Sequence, residues 1–209
     1  PVIVTEFLSK GTLKSVLKDE SYGISSQNWD STAKLINIYG IAAALFYLHR
    51  LNIIHRDLKP ANNLLDDELH PKLADFGLSK DLSKKVQNIP SPMYVLKGTP
   101  CYCSPEILDN NEYSKAGDVY AFGLIVYEIL TNETPFKDAK NFYDLLNMVV
   151  LQKSRPPIPE YVHDCYKNLI ERCWSQEAEK RPTFDEIIAI LKSDAEFLIE
   201  VDESLFLDY

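Results

Sequence analysis

Between Lys115 and Leu130 the chain is apolar almost all round a helical projection, through Val119, Tyr120, Phe122, Leu124, Ile125, Val126, Tyr127, Ile129 and Leu130. A helix without a polar face has to be buried on every side, so this segment must be the centre of a larger helical unit. The remaining sequence provides the walls. A helix is predicted from Asp30 or Ser31 to about Arg50, with Leu35, Ile38, Tyr39, Ala42, Leu45, Phe46 and His49 on one core-facing stripe. Three amphipathic helices follow the central one, near Ala139 to Leu151, Glu160 to Trp174 and Phe184 to Lys192. The last is opened by a Thr183-x-x-Glu186 capping box after Pro182. The connector Arg155 to Pro159 holds three prolines and is expected to be extended.

Strand signals are few. Two short strands are predicted near Asn63 to Leu65 and Lys72 to Ala74, with Asp66-Asp67-Glu68 as a hairpin turn. The run Val2 to Leu8 is β-branched and aromatic, but one strand alone is not stable, so its ladder partners would have to lie upstream. The chain opens at Pro1 straight into this run, and the expectation is a fragment of something longer. From Asp75 to about Pro105 no period survives, and a long structureless loop inside a compact domain is usually functional.

Composition narrows the classes of function. With 45% apolar and 25% charged residues over 209 positions, the chain is an ordinary folded protein that needs neither disulfide nor metal for its core. Its net charge of -9, with 22 Lys and Arg against 31 Asp and Glu and no basic stripe, argues against nucleic acid as a partner. Cys101, Cys103, Cys165 and Cys173 do not have the paired spacing that closes a tetrahedral zinc site; free thiols in a reducing, cytoplasmic compartment fit them. His49, His55, His70 and His163 form no metal-binding motif, so metal binding through imidazole is not expected. The uncharged stretch Leu35 to Leu48 falls short of the roughly 20 residues that cross a bilayer, so no membrane segment is expected. Ser193 to Tyr209 carries Asp194, Glu196, Glu200, Asp202, Glu203 and Asp208 with no Lys or Arg, and reads as a solvated acidic tail.

The chemistry is concentrated in His55-Arg56-Asp57-Leu58-Lys59-Pro60-Ala61-Asn62 followed by Asp75-Phe76-Gly77. Read locally, these residues make a polar turn and a hairpin in which Asp57 and Asn62 cap backbone groups. Read together they match H-R-D-L-x-x-x-N and D-F-G, and the chain resembles the protein kinase family. More of that pattern continues in order: Gly98-Thr99-Pro100-x-Tyr102, Ser104-Pro105-Glu106 with Ser in place of Ala, Asp118 to Gly123, and Arg181-Pro182. The resemblance covers Val2 to about Lys192, which makes 1–192 a partial kinase domain and 193–209 a tail.

The resemblance implies an α+β fold, mainly α-helical: the C-terminal lobe of a kinase with a small β-hairpin, the N-terminal lobe missing. None of the seven glycines is spaced G-x-G, and the V-A-I-K lysine and its glutamate partner have no counterpart. It also implies phosphoryl transfer from ATP with Mg²⁺ to protein Ser or Thr hydroxyls, a reaction that needs positioning and charge neutralisation more than covalent help. Asp57 is then the base, Lys59 a positive charge near the γ-phosphate, and Asn62 and Asp75 the oxygen ligands of the metal. Thr5, Glu6 and Leu8 match the hinge that meets adenine, with Thr5 as gatekeeper. Arg56 is the expected partner of a phosphate on the loop, where Ser91, Tyr94 and Thr99 offer hydroxyls and Ser91 is slightly favoured as the site. Asp118 is expected to accept from the backbone of the His-Arg-Asp turn, and Glu106 to pair with Arg181.

Lys59 after the Asp is the Ser/Thr form of the motif, and Asp-Val-Tyr, Arg-Cys-Trp174 and Arg-Pro-Thr-Phe184 are similar to the tyrosine-kinase-like group of Ser/Thr kinases. The alternative is a pseudokinase-like binding module without turnover. Oligomeric state and substrate identity are not encoded in any motif.

Overall fold

The computed structural model describes residues 5–24, 28–83 and 100–209. Over these residues the chain is mainly helical, with four strands of two or three residues each. Helix α1 (Leu13–Ser21) starts where the Thr12 hydroxyl accepts from the Ser15 N–H and the Ser15 side chain closes the box. Helix α2 (Ser31–Arg50) starts where the Asp30 carboxylate accepts from the Ala33 N–H, and it ends on Arg50, a cation suited to a helix C-terminus. Strand β1 (Ile53–Ile54) follows at once, then β2 (Asn63–Leu65) and β3 (Pro71–Leu73), which pair antiparallel with Leu64 opposite Lys72. Strand β4 (Lys80–Asp81) returns to pair with β1, Ile54 opposite Lys80.

Five further helices complete the body. Helix α3 (Pro105–Asn110) carries its proline at the first turn, where a missing N–H costs nothing. Helix α4 (Lys115–Thr131) is the buried centre, with Tyr120, Phe122, Leu124, Ile125, Val126 and Ile129 wholly enclosed. Helix α5 (Phe142–Leu146) runs into a π-helical turn over Asn147–Leu151. Helices α6 (Asp164–Cys173) and α7 (Phe184–Ser193) flank the centre, α6 against α4 and α7 against α2. The capping box at Thr183 is present in full: the Glu186 carboxylate accepts from the Thr183 N–H at 2.7 Å and the Thr183 hydroxyl from the Glu186 N–H at 3.3 Å.

Gly123 lies where α4 packs closely on α6. A Cβ there would lie 2.7 Å from that of Cys173, so only glycine permits the contact. By length and composition α2 would suffice to span a bilayer, a point that the uncharged run alone does not reveal. Its stripe Leu35, Ile38, Ala42 and Leu45 is buried in the core, where α2 packs against α4, α7 and β3.

Three expectations change. Thr5 to Leu8 form no strand, and no described strand pairs with them; Val2 to Val4 lie outside the described residues. The helices predicted from Ala139 and Glu160 begin later, at Phe142 behind the Asn141 cap and at Asp164 after the Pro159 connector. The acidic tail is not a solvated strand of chain. Residues 195–198 make a 3-10 turn and α8 (Glu203–Asp208) closes the chain. Phe197 is 1% exposed and stacks edge-on against Tyr166; Phe206 is 5% exposed and does the same against Tyr39. The Asp202 N–H donates to Thr32 Oγ1 at 2.9 Å. Most of the carboxylates face water while Phe197 and Phe206 turn inward, a spacing that net charge hides.

Phe197→Ala is therefore expected to lower unfolding free energy by about 3 kcal/mol or more in urea, as for any fully buried aromatic. Leu207→Ala, at 70% exposure, should stay within about 0.5 kcal/mol of the parent. Equal, small effects of both would show that the tail is not docked.

Candidate functional site

The site is built on the turn between β1 and β2. Arg56 has φ +72°, a left-handed conformation that its side chain disfavours, and the turn holds this shape because both backbone donors beside it are bonded. The His55 N–H donates to Asp118 Oδ2 at 2.9 Å and the Arg56 N–H to Asp118 Oδ1 at 3.0 Å. Asp118 is 3% exposed in the first turn of α4, and His49 Nε2 from α2 meets its Oδ2 at 2.9 Å. One buried carboxylate thus joins α2, α4 and the turn. Sequence reasoning placed His49 on the core face but did not find this bond; only the fold brings His49 and Asp118 together.

Beyond the turn the side chains converge on Asp57. Lys59 Nζ donates to Asp57 Oδ2 at 2.6 Å, and Asn62 Nδ2 donates to the same oxygen at 2.9 Å and to the Asp57 carbonyl at 2.8 Å. Asn62 is buried at the end of a 3-10 turn whose first residue is Pro60. Its Oδ1 makes no bond among the described residues. Asn63, fully buried at the start of β2, donates from Nδ2 to the Lys59 carbonyl at 2.9 Å, which offsets part of the cost of burying its amide.

Asp75 reaches the site through the hairpin. The Ala74 N–H donates to the Asn62 carbonyl at 2.9 Å and the Ala74 carbonyl meets His55 Nε2 at 3.0 Å, so β3 delivers Asp75 beside the turn. Asp75 has φ +62°, is exposed, and makes one long side-chain contact, 3.4 Å from the Gly77 N–H. The Phe76 ring lies 5.3 Å from that of His55. Two positive-φ residues, Arg56 and Asp75, therefore bracket the cluster, which is where stored backbone strain collects in functional sites.

Asn62 Oδ1 and the Asp75 carboxylate, oxygens suited to a hard divalent cation, are left largely unused by the hydrogen bonds of the cluster, as is the second oxygen of Asp57. That donor set fits Mg²⁺.

Thr5 and Glu6 are exposed and Leu8 half-buried. Their segment is tied to the hairpin through Gly11, whose carbonyl accepts from the Leu65 N–H at 2.9 Å, through a bridge between Thr12 and Leu64, and through the Ser9 hydroxyl, which donates to Asp67. Arg56 lies with its guanidinium 4.1 Å from the centre of the Tyr113 ring, and its Nε, buried, has no partner among the described residues. Nothing in the sequence marked Tyr113. Ser91, Tyr94 and Thr99 lie outside the described residues.

The far end of the loop is fixed by Arg181, which donates to both oxygens of Glu106 at 2.7 and 2.8 Å and to the carbonyls of Ala116 and Ser175 at 2.9 Å. Burial opposes charge on Glu106, but the two bonds and the guanidinium charge outweigh it and hold its carboxyl below the ordinary range. The Tyr102 hydroxyl donates to Glu128, whose carboxyl burial pushes up. Cys101 and Cys103 are pushed up to about 12, first by burial, which makes them poor nucleophiles.

A family profile described as a protein kinase domain matches residues 1–190. The dual specificity protein kinase shkC of Dictyostelium discoideum is 36% identical over 194 residues, covering 91% of this chain and 37% of its own length. The "Probable serine/threonine-protein kinase drkC" of the same organism is 35% identical over 198 residues, covering 92% of this chain and 25% of its own. The chain thus spans a minority of the length of these relatives.

Arg181→Met is expected to destabilise by about 3–5 kcal/mol, because it strands a buried carboxylate. The sign of its pH dependence follows from the lowered Glu106 carboxyl. The stabilisation is complete above the ordinary carboxylate pKa and is lost as pH falls through the folded value, since the unfolded chain binds the proton more readily. Denaturation at a series of pH values should show the variant's deficit shrinking toward acid; a deficit independent of pH would sink this assignment.

Proposed function

The chain belongs to the protein kinase family, and we propose that it carries the catalytic half of an ATP-dependent protein serine/threonine kinase. The observation that carries this reading is the convergence of Lys59 and Asn62 on one carboxylate oxygen of Asp57, with Asp75 delivered beside them. A binding module has no use for that arrangement.

In this reading Mg²⁺ with ATP supplies the γ-phosphoryl group and the neutralisation of its charge. The rest is the work of the chain's residues. Asn62 Oδ1 and the Asp75 carboxylate hold the metal. Asp57 accepts the proton of the substrate hydroxyl through the oxygen that Lys59 and Asn62 do not occupy, while those two fix its rotamer. Lys59, only about a third exposed, brings a positive charge to the transferring group. Asp118 is a positioning residue: it sets the backbone from which Asp57 projects. Thr5, Glu6 and Leu8 are read as the hinge toward adenine, and Arg56 as the partner of a phosphate on the loop that holds Ser91, Tyr94 and Thr99.

Residues 1–192 are read as the kinase unit and 193–209 as an extension packed on it. The glycine-rich cover for the phosphates and the Lys–Glu pair have no counterpart in these 209 residues, so the cleft needs a second lobe. Lys59 and the Arg-Pro-Thr-Phe184 pattern favour Ser/Thr acceptors of the tyrosine-kinase-like group. The name of shkC makes tyrosine worth testing as well.

The test is transfer of labelled γ-phosphate to generic Ser/Thr and Tyr protein substrates by the protein made from its full open reading frame. Asp57→Asn should lower kcat by at least about a hundredfold, the usual worth of a positioned base, with the fold unchanged by circular dichroism. The same 209 residues alone should bind nucleotide weakly. Full-length protein that transfers no phosphate with Mg²⁺ present would shift the reading to the pseudokinase-like binding module.

A further inference from the structure

The turn before α6 and the docked tail bring together three groups that the sequence keeps far apart. His163 caps α6, Cys165 sits in its first turn, and Glu196 belongs to the 3-10 turn of the tail. A ring nitrogen of His163, the Cys165 sulfur and a Glu196 carboxylate oxygen all lie within 4.8 Å of one another. His163 and Glu196 are exposed and Cys165 is buried, so the group is open on one side and backed by protein on the other. No hydrogen bond or ion pair among the described residues engages the His163 ring or the Glu196 carboxylate.

We propose that His163, Cys165 and Glu196 form a site for one borderline-soft divalent transition ion, Zn²⁺ being the natural occupant. The donor set decides the class. Thiolate, imidazole and carboxylate together suit Zn²⁺ or Co²⁺, whereas Mg²⁺ and Ca²⁺ prefer oxygen alone. Zn–ligand bonds of about 2.0–2.3 Å set tetrahedral ligand separations of about 3.3–3.6 Å, so the three atoms need to close by little more than about 1 Å. Two of the side chains are free to move, being exposed. The charges balance as well, since one thiolate and one carboxylate neutralise a dication.

A cavity of about 270 Å³ adjoins the group, lined by Lys34, Tyr161, His163, Glu196 and Val201 among others. It gives room for water at the fourth position, so the site is of the open kind, with three protein ligands. Burial pushes the Cys165 thiol up to about 11, and it donates to the Glu196 carbonyl at 3.6 Å. Binding therefore breaks that S–H bond: the sulfur forms its bond to the metal and one proton passes to solvent for each ion bound. The first turn of α6 favours the resulting thiolate.

The structural consequence is a staple. Glu196 lies in the tail beyond the part matched by the family profile, and His163 and Cys165 lie within it. The ion would tie the tail to α6 beside the Phe197–Tyr166 contact. The absence of a metal motif in the sequence does not count against this, because 31 residues separate Cys165 from Glu196 and no local spacing encodes the site.

Co²⁺ titration of the 209-residue chain under reducing conditions tests the proposal directly. One equivalent should produce a thiolate-to-cobalt charge-transfer band that a large excess of Mg²⁺ does not remove and Zn²⁺ does. Cys165→Ser should abolish the band although three cysteines remain, and His163→Ala and Glu196→Gln should each weaken apparent affinity about tenfold or more. His163→Ala changes an exposed side chain and so serves as the variant that keeps its fold. Zn²⁺ should raise the wild-type Tm by clearly more than that of His163→Ala. No band at excess Co²⁺, a band that survives Cys165→Ser, or equal Tm shifts in wild type and His163→Ala would each overturn the proposal.

Discussion

Everything at the site depends on the Asp118 carboxylate. A buried charge has to be fully hydrogen-bonded or it destabilises the fold that contains it, and Asp118 meets that demand with the His55 and Arg56 N–H groups and the His49 ring. The same bonds solve a second problem. Arg56 at φ +72° sits in a conformation that costs about 1–2 kcal/mol for a residue with a Cβ, and it persists only where its surroundings over-determine it. The charge that needs donors and the turn that needs acceptors satisfy each other. Because Asp118 opens the helix that is buried on all sides, its position is as fixed as the core itself. Asp57 and Lys59 inherit that rigidity from the backbone of the turn, to which Asn62 adds its own bond to the Asp57 carbonyl.

The second tie, Glu106 to Arg181, is of a different kind. A buried ion pair adds little net stability against an apolar replacement, because both partners lose their water. What it adds is place. Arg181 bonds Glu106 in α3, the Ala116 carbonyl in α4 and the Ser175 carbonyl after α6, and it lies over the Tyr120 ring at 5.1 Å. One guanidinium, with donors in a fixed fork, sets the register of three helices that otherwise meet through non-directional apolar contacts. Asp118 fixes the turn before β2 and Arg181 fixes α3.

Much of this was legible in the sequence, and the limits follow physical lines. The helices over Ser31–Arg50 and Lys115–Thr131 were readable because long apolar periods have few alternatives, and the Thr183 capping box because it is local. The hairpin of Asn63–Leu65 and Pro71–Leu73 was readable from its polar turn. Strands Ile53–Ile54 and Lys80–Asp81 were not, since two residues have no period and their pairing is decided by tertiary distance. Asp57, Lys59, Asn62 and Asp75 were found as a motif, but that Asn62 donates twice to Asp57 is a fact of geometry. Tyr113, which stacks on Arg56, left no signal at all. The tail misled because composition averages over a period: its six acids are spaced so that Phe197 and Phe206 fall on the inner side.

Arg56 shows how a rigid site can still contain a movable part. Its backbone is bound by Asp118, while its side chain is held by the Tyr113 face at 4.1 Å and leaves the buried Nε unpartnered among the described residues. A cation over an aromatic ring contributes about 0.5–2 kcal/mol depending on its exposure to water, and an orphaned donor subtracts from that. A bidentate bond from the same guanidinium to a doubly charged phosphate is stronger and uses more of its donors. If Arg56 has the role proposed for it, a phosphate would offer its side chain the stronger of two arrangements, and taking it up would leave the backbone bond to Asp118 intact. Fixing the main chain while the guanidinium keeps an unpartnered donor would then separate the geometry of the turn from a response to charge within a single residue.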